Sequence, residues 1–175
     1  MQKRIFKNYP DHIHAVGFKL FYYHAKQDNW TQVWDYIKDE EVKIIHLKRR
    51  NLLKVHLSRE LAERTGNWVN KKYNAVIALD PQKCARDFER TERWWSEYDS
   101  YFGNSILLEV WFEDIVADGD LWIAKIMDFL DISSPEKKLT PTTKRQSAKS
   151  ASGLISNYEE VKKKFIGTKW EHLFE

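Results

Sequence analysis

Three consecutive cations, Lys48-Arg49-Arg50, follow an apolar run and stand directly before Asn51 and a leucine-rich stretch; the whole segment, 43–58, reads KIIHLKRRNLLKVHLS. The pattern predicts a strand that ends in cations and a helix that starts at once, with Asn51 as its N-cap. Where an open α/β sheet hands over to a helix, unpaired N–H groups and the positive end of the helix dipole attract anions. Ser58 lies seven residues beyond Asn51, which at 3.6 residues per turn returns it to within about 20° of the same face, on the order of 10 Å up the axis. Asn51, Lys54 and Ser58 then share one polar stripe, while Leu53, Leu57 and Leu61 point elsewhere. An arginine from the strand end and the Ser58 hydroxyl could share one anion, a pairing of guanidinium fork and hydroxyl that suits phosphate. The same residue types also describe a solvated basic loop beside a surface hydroxyl.

The rest of the chain sets bounds on that chemistry. With 175 residues, 42% hydrophobic content and eight Trp, the chain can bury a core as a single domain over 1–175 and is not a disordered tail. A net charge of +3 suits an anionic ligand and is too mild to point to nucleic acid. Cys84 is the one cysteine, which excludes a disulfide framework and a cysteine metal site. His12, His14 and His24 have neither helical spacing nor carboxylate partners, so no metal is expected. The basic, His-rich start lacks the apolar core of a signal peptide, and no apolar run reaches the length of a membrane span, so a cytoplasmic protein is the expectation.

The elements that must position the cations follow from periodicity. Residues 15–22 (AVGFKLFY) read as a mostly buried strand. Trp30, Val33, Trp34 and Ile37 recur on one helical face, 42–47 (VKIIHL) is a second strand, and 51–64 is a helix. Strand, helix, strand, helix implies a parallel sheet with crossover helices. A short strand at 75–79 follows; then Asp80-Pro81 opens a long helix carrying Phe88, Trp95, Tyr98 and Phe102. Residues 105–111 (SILLEVW) read as a buried strand and 120–130 as a helix with Ile123, Ile126, Met127 and Leu130 inward. Residues 131–155 read as a long loop, and Ser156-Asn157-Tyr158-Glu159 fits a capping box that starts the last helix at Ser156.

A strand followed by Arg-Asn, with Ser eight residues after the Arg, resembles the 3′-phosphate motif of the sulfotransferases that use PAPS (3′-phosphoadenosine 5′-phosphosulfate), particularly bacterial ones. The stretch LEVWFEDIVADGDLWIAKIMDFLDI is similar to that family's "YEDL … FLG" strand–loop–helix, with Trp111 for the usual Tyr and Asp131 for the usual Gly. KRQSAKSASGLISNYEEV resembles the segment that folds over the nucleotide, and GFKLFYYH the strand after the first helical layer. The resemblance implies a P-loop-like three-layer α/β/α fold with a parallel sheet. It makes Arg50 and Ser58 the ligands of the 3′-phosphate and brings Gln146, Ser147 and Lys149, in the basic loop with Lys144 and Arg145, towards the nucleotide. Lys19 resembles a recurrent lysine that faces the sulfuryl group, and His24 lies where relatives carry acceptor-side residues, so these two are the catalytic candidates; Tyr22 and Tyr23 are candidates to line an acceptor pocket.

The chain departs from the family in one respect. A loop for the 5′-phosphosulfate should precede VGFKL, and neither GxxxxGK[ST] nor GxGxxG occurs anywhere. The expectation is therefore an N-terminally truncated domain holding mainly the 3′-phosphate half, inactive alone and prone to form homo-oligomers through exposed strand edges. The function implied is sulfuryl transfer from PAPS, leaving adenosine 3′,5′-bisphosphate, to a hydroxyl of a carbohydrate or small metabolite. The alternative is a non-catalytic nucleotide-binding or interaction module derived from such an enzyme. A P-loop kinase relative is disfavoured by the missing Walker sequence.

Overall fold

The computed structural model describes residues 5–24, 31–68, 75–133 and 150–174. They form a mixed α/β protein whose chain divides into two compact units, one made of residues 1–48 and 97–137 and the other of 49–96 and 138–175.

The first unit holds α1 (Val33–Asp39), β1 (Ile44–Lys48), β2 (Leu107–Trp111), α4 (Phe112–Ala117) and α5 (Gly119–Phe129). The two strands pair in parallel, Ile44 beside Leu107 through Lys48 beside Trp111, as the alternation of strands and helices requires. Val33 and Ile37 of α1 pack with Phe102 into a small core, to which Leu20, Trp34, Tyr98 and Leu107 add partly buried surface. Along β1, His46 and Lys48 are buried while Ile45 and Leu47 are exposed, so the polar face of the strand is the covered one.

Residues 15–22 are not a strand; they are irregular, and most of their side chains are exposed. Val16 is the one β-branched residue of that run, and without cross-strand partners an apolar run has no sheet to join. α5 forms where its period predicts, yet none of its side chains is fully buried; Ile123, Ile126, Met127 and Leu130 are half-buried. Asp118 caps it through its carboxylate and the Leu121 N–H. Past its end Asp131 takes φ +56°, the left-handed conformation that usually falls to glycine, and its carboxylate meets Lys43.

The second unit contains α2 (Leu52–Thr65), the start of α3 (Pro81–Tyr101, a helix that continues into the first unit), α6 (Tyr158–Phe165) and a 3₁₀ turn, Glu171–Phe174. Leu53, Leu57 and Leu61 face a core completed by Phe88, Val161, Phe165 and Phe174. Asp80 caps α3 by accepting the Gln82 N–H at 2.8 Å, and α2 ends on Gly66 at φ +67°. Within 75–79 Ile77 makes a single parallel bridge to Ile155. Helix α6 begins at Tyr158 rather than at Ser156, and no side chain caps it. The reason lies in the bridge. Ser156 donates its N–H to Ile77, and the Asn157 amide is spent on Leu79, accepting its N–H at 2.9 Å and donating to its carbonyl at 3.0 Å.

Candidate functional site

Asn51 caps α2 as its residue type predicts, its Oδ1 accepting the Lys54 N–H at 2.9 Å. Its Nδ2 reaches the Leu173 carbonyl at 3.4 Å, which ties the start of the helix to the 3₁₀ turn of the same unit. Arg50, one residue ahead, is exposed, and Ser58, two turns along, is half-buried between the buried Leu57 and the half-buried Arg59. The first-turn N–H groups of a helix have no acceptor within it; one guanidinium, one hydroxyl and these groups are donors of the kind a phosphate takes.

Lys48 does not extend this set. Its ammonium is buried and lies 2.6 Å from Asp99 Oδ2 and 2.5 Å from Glu109 Oε2, with the Trp111 ring 5.5 Å away. A lysine taken out of water needs such partners. The hydrogen bond from Lys48 holds the Glu109 carboxyl below its ordinary pKa, although burial pushes the other way.

The remaining sequence candidates fall elsewhere. Lys19 is exposed, its ammonium 5.0 Å from the centre of the Phe21 ring. His24 is half-buried in a local turn; its Nδ1 accepts the Phe21 N–H at 3.3 Å, and its ring meets those of Phe21 and Tyr23 edge-on. Arg50 and Ser58 thus share one unit, and Lys19 and His24 belong to the other. Gln146, Ser147 and Lys149 lie outside the described residues.

Two polar clusters escaped the sequence reading. In the first unit, His46 Nε2 lies 2.5 Å from the Tyr22 hydroxyl, and His46 Nδ1 lies 3.0 Å from Asp99 Oδ1, at an angle short of a straight hydrogen bond. Burial, then the Lys48 charge, lowers the His46 pKa against the opposing pull of Asp99. The signal was present: His46 and Lys48 stand two residues apart in an otherwise apolar strand, hence on one face. Asp99, on a distant helix, carried none.

In the second unit, His56 and Asp87 are buried and paired through Nδ1, and the Arg59 and Arg90 guanidiniums meet the same carboxylate. His56 Nε2 is buried without a hydrogen-bond partner. Burial pushes the His56 pKa down to about 4, and the nearby Arg59 and Lys83 charges assist. Its position three residues after Leu53 and one before Leu57 marks it as facing the core.

Among the described residues no three His, Cys, Asp or Glu side chains gather as a metal site, and no helix is long and apolar enough to cross a membrane.

Comparison with known proteins gives one distant likeness. The chain is similar to Nodulation protein H of Rhizobium tropici, 23% identical over 133 residues, which cover 74% of this chain and 53% of that protein. The chain therefore spans about half the length of the curated relative it matches. No family model and no solved structure matches it.

Proposed function

We propose that the chain is a sulfotransferase-like α/β protein. In this reading residues 1–175 are one P-loop-like domain that takes part in moving a sulfuryl group from PAPS to a hydroxyl of a carbohydrate or small metabolite. Arg50 and Ser58 hold the 3′-phosphate, with the start of α2 supplying N–H groups; Gln146, Ser147 and Lys149 approach the nucleotide; Lys19 and His24 act on the acceptor side. Sulfuryl transfer, like phosphoryl transfer, is promoted mainly by positioning and by fixed positive charge around a spread negative one. That demand accords with a site built from arginine, lysine and helix N–H groups.

The observation that carries the reading is the Asn51-capped start of α2, with Arg50 just before it and Ser58 two turns along. The distant likeness over 74% of the chain supports it. Titration with adenosine 3′,5′-bisphosphate tests it. Arg50→Ala should weaken binding by roughly ten- to a hundredfold, since a hydrogen bond to a charged group contributes roughly 1.5–3 kcal/mol. Ser58→Ala should weaken it less. Absence of binding, or binding indifferent to both changes, would remove the nucleotide site. Binding without sulfate transfer from PAPS would instead favour a nucleotide-binding module descended from such an enzyme.

A further inference from the structure

Tyr22, His46 and Asp99 form a chain of three titratable groups within the first unit. The Tyr22 hydroxyl lies 2.5 Å from His46 Nε2, and the opposite ring nitrogen lies 3.0 Å from the Asp99 carboxylate. Hydroxyl, imidazole and carboxylate in that order is an arrangement in which a base, itself oriented by a carboxylate, can take the hydroxyl's proton.

The surroundings hold the Tyr22 end in place. The Tyr98 hydroxyl donates to the Tyr22 carbonyl at 3.0 Å, and the two rings pack with centres 5.0 Å apart. His46 meets the Tyr22 ring edge-on, at 5.7 Å between centres. Lys48 bridges Asp99 and Glu109, fixing the carboxylate that faces the imidazole. Burial, then the Lys48 charge, favours the neutral form of His46. Tyr22 is half-buried.

We propose that Tyr22 is an acid–base group for a hydroxyl-bearing substrate, with His46 as the acceptor of its phenol proton and Asp99 as the positioning residue for His46. The nature of the substrate rests on the sulfuryl-transfer reading above. The acceptor's hydroxyl proton moves to the Tyr22 oxygen as the phenol proton moves to His46 Nε2. The acceptor oxygen uses the freed electron pair to bond to sulfur, and the bond from sulfur to the nucleotide phosphate breaks, its electrons leaving with the bisphosphate. The imidazolium formed beside Asp99 then returns its proton to water.

An aryl sulfonyl fluoride, p-toluenesulfonyl fluoride, tests the pair without relying on turnover. At an activated phenol the oxygen bonds to sulfur, fluoride leaves, and the phenol proton passes to the base. Labelling should select Tyr22 over Tyr23, although Tyr23 is the more exposed, 48% accessible. His46→Asn should slow Tyr22 labelling by about a hundredfold, the lower end of what general base assistance contributes, and leave Tyr23 unchanged as the control for folding. Asp99→Asn should slow it less. Equal labelling of the two tyrosines, or Tyr22 labelling indifferent to His46→Asn, would overturn the proposal. Bisphosphate titration of the same samples separates the two readings. Binding without selective labelling removes the acid–base group alone, and selective labelling without binding keeps it and removes the sulfuryl-transfer reading.

Discussion

His56→Asn should detach one buried titration from the rest of the protein's acid response. In the folded chain His56 is fully enclosed and its pKa lies at about 4, against an ordinary value of 6.5. The folded state therefore binds this proton more weakly than the unfolded state does. Stability from the neutral ring is complete above pH 6.5 and is lost progressively as the pH falls through 6.5 towards 4. Between pH 7 and pH 5 the loss comes to about 2 kcal/mol, from a shift of roughly two and a half pH units at 1.36 kcal/mol per unit. Asn can place its amide near the position of Nδ1 and still donate to Asp87, yet it has no proton to gain. The variant should start lower at pH 7, because the ring leaves a void, and should then fall less steeply. Urea unfolding at pH 7, 6 and 5, followed through tryptophan fluorescence, measures the difference between the two slopes. Parallel decline of both proteins from pH 7 to 5 would refute the claim that His56 is held neutral by burial.

Other changes probe the packing and the backbone. Phe88→Ala removes a ring that is 1% exposed at the centre of the second unit's core and should cost about 3–5 kcal/mol, read as a lowered urea midpoint with an unchanged m-value. Asn157→Ala strands the Leu79 N–H and carbonyl and should cost about 1–3 kcal/mol in the same measurement. Asp131→Gly should instead raise stability by about 0.5–1 kcal/mol, because glycine takes the φ of +56° freely and the Lys43 pair it removes is held by a carboxylate 84% exposed. Cys84, fully buried and with its thiol pushed by burial to about 12, should resist iodoacetamide in the native protein at pH 8 and react on denaturation.

The parts of the fold that were legible in the sequence are those fixed by local chemistry. Asn51 and Asp80 mark helix starts through their own side chains, and both do so here. Leu53, Leu57 and Leu61 announce a buried face by spacing alone. The errors arise where distant partners decide. Residues 15–22 are apolar enough for a strand but have none to pair with among the described residues. Ser156-Asn157 resembles a capping box, yet Leu79 recruits the Asn157 side chain from 78 positions away. Position 131 shows a middle case: likeness to a glycine-bearing motif pointed to it, and the backbone there is left-handed although aspartate occupies it. Of the candidate site, Arg50 and Ser58 lie on the predicted helix start, whereas the acid–base groups around His46 depend on Asp99 and Tyr22, which only the folded chain brings near.

Each compact unit is assembled from two stretches separated by the other, residues 49–96 joining 138–175 in one and 1–48 joining 97–137 in its neighbour. No uninterrupted gene fragment can therefore encode either one, and limited proteolysis cannot release a whole unit as a single peptide. During synthesis the leucine face of α2 can meet Phe88 early, but its core is complete only after α6 and the residues beyond it have emerged. Closing so long a loop is entropically costly and tends to be slow. Throughout that interval the nascent chain offers an incompletely covered apolar helix, the kind of surface that chaperones bind and that aggregation exploits.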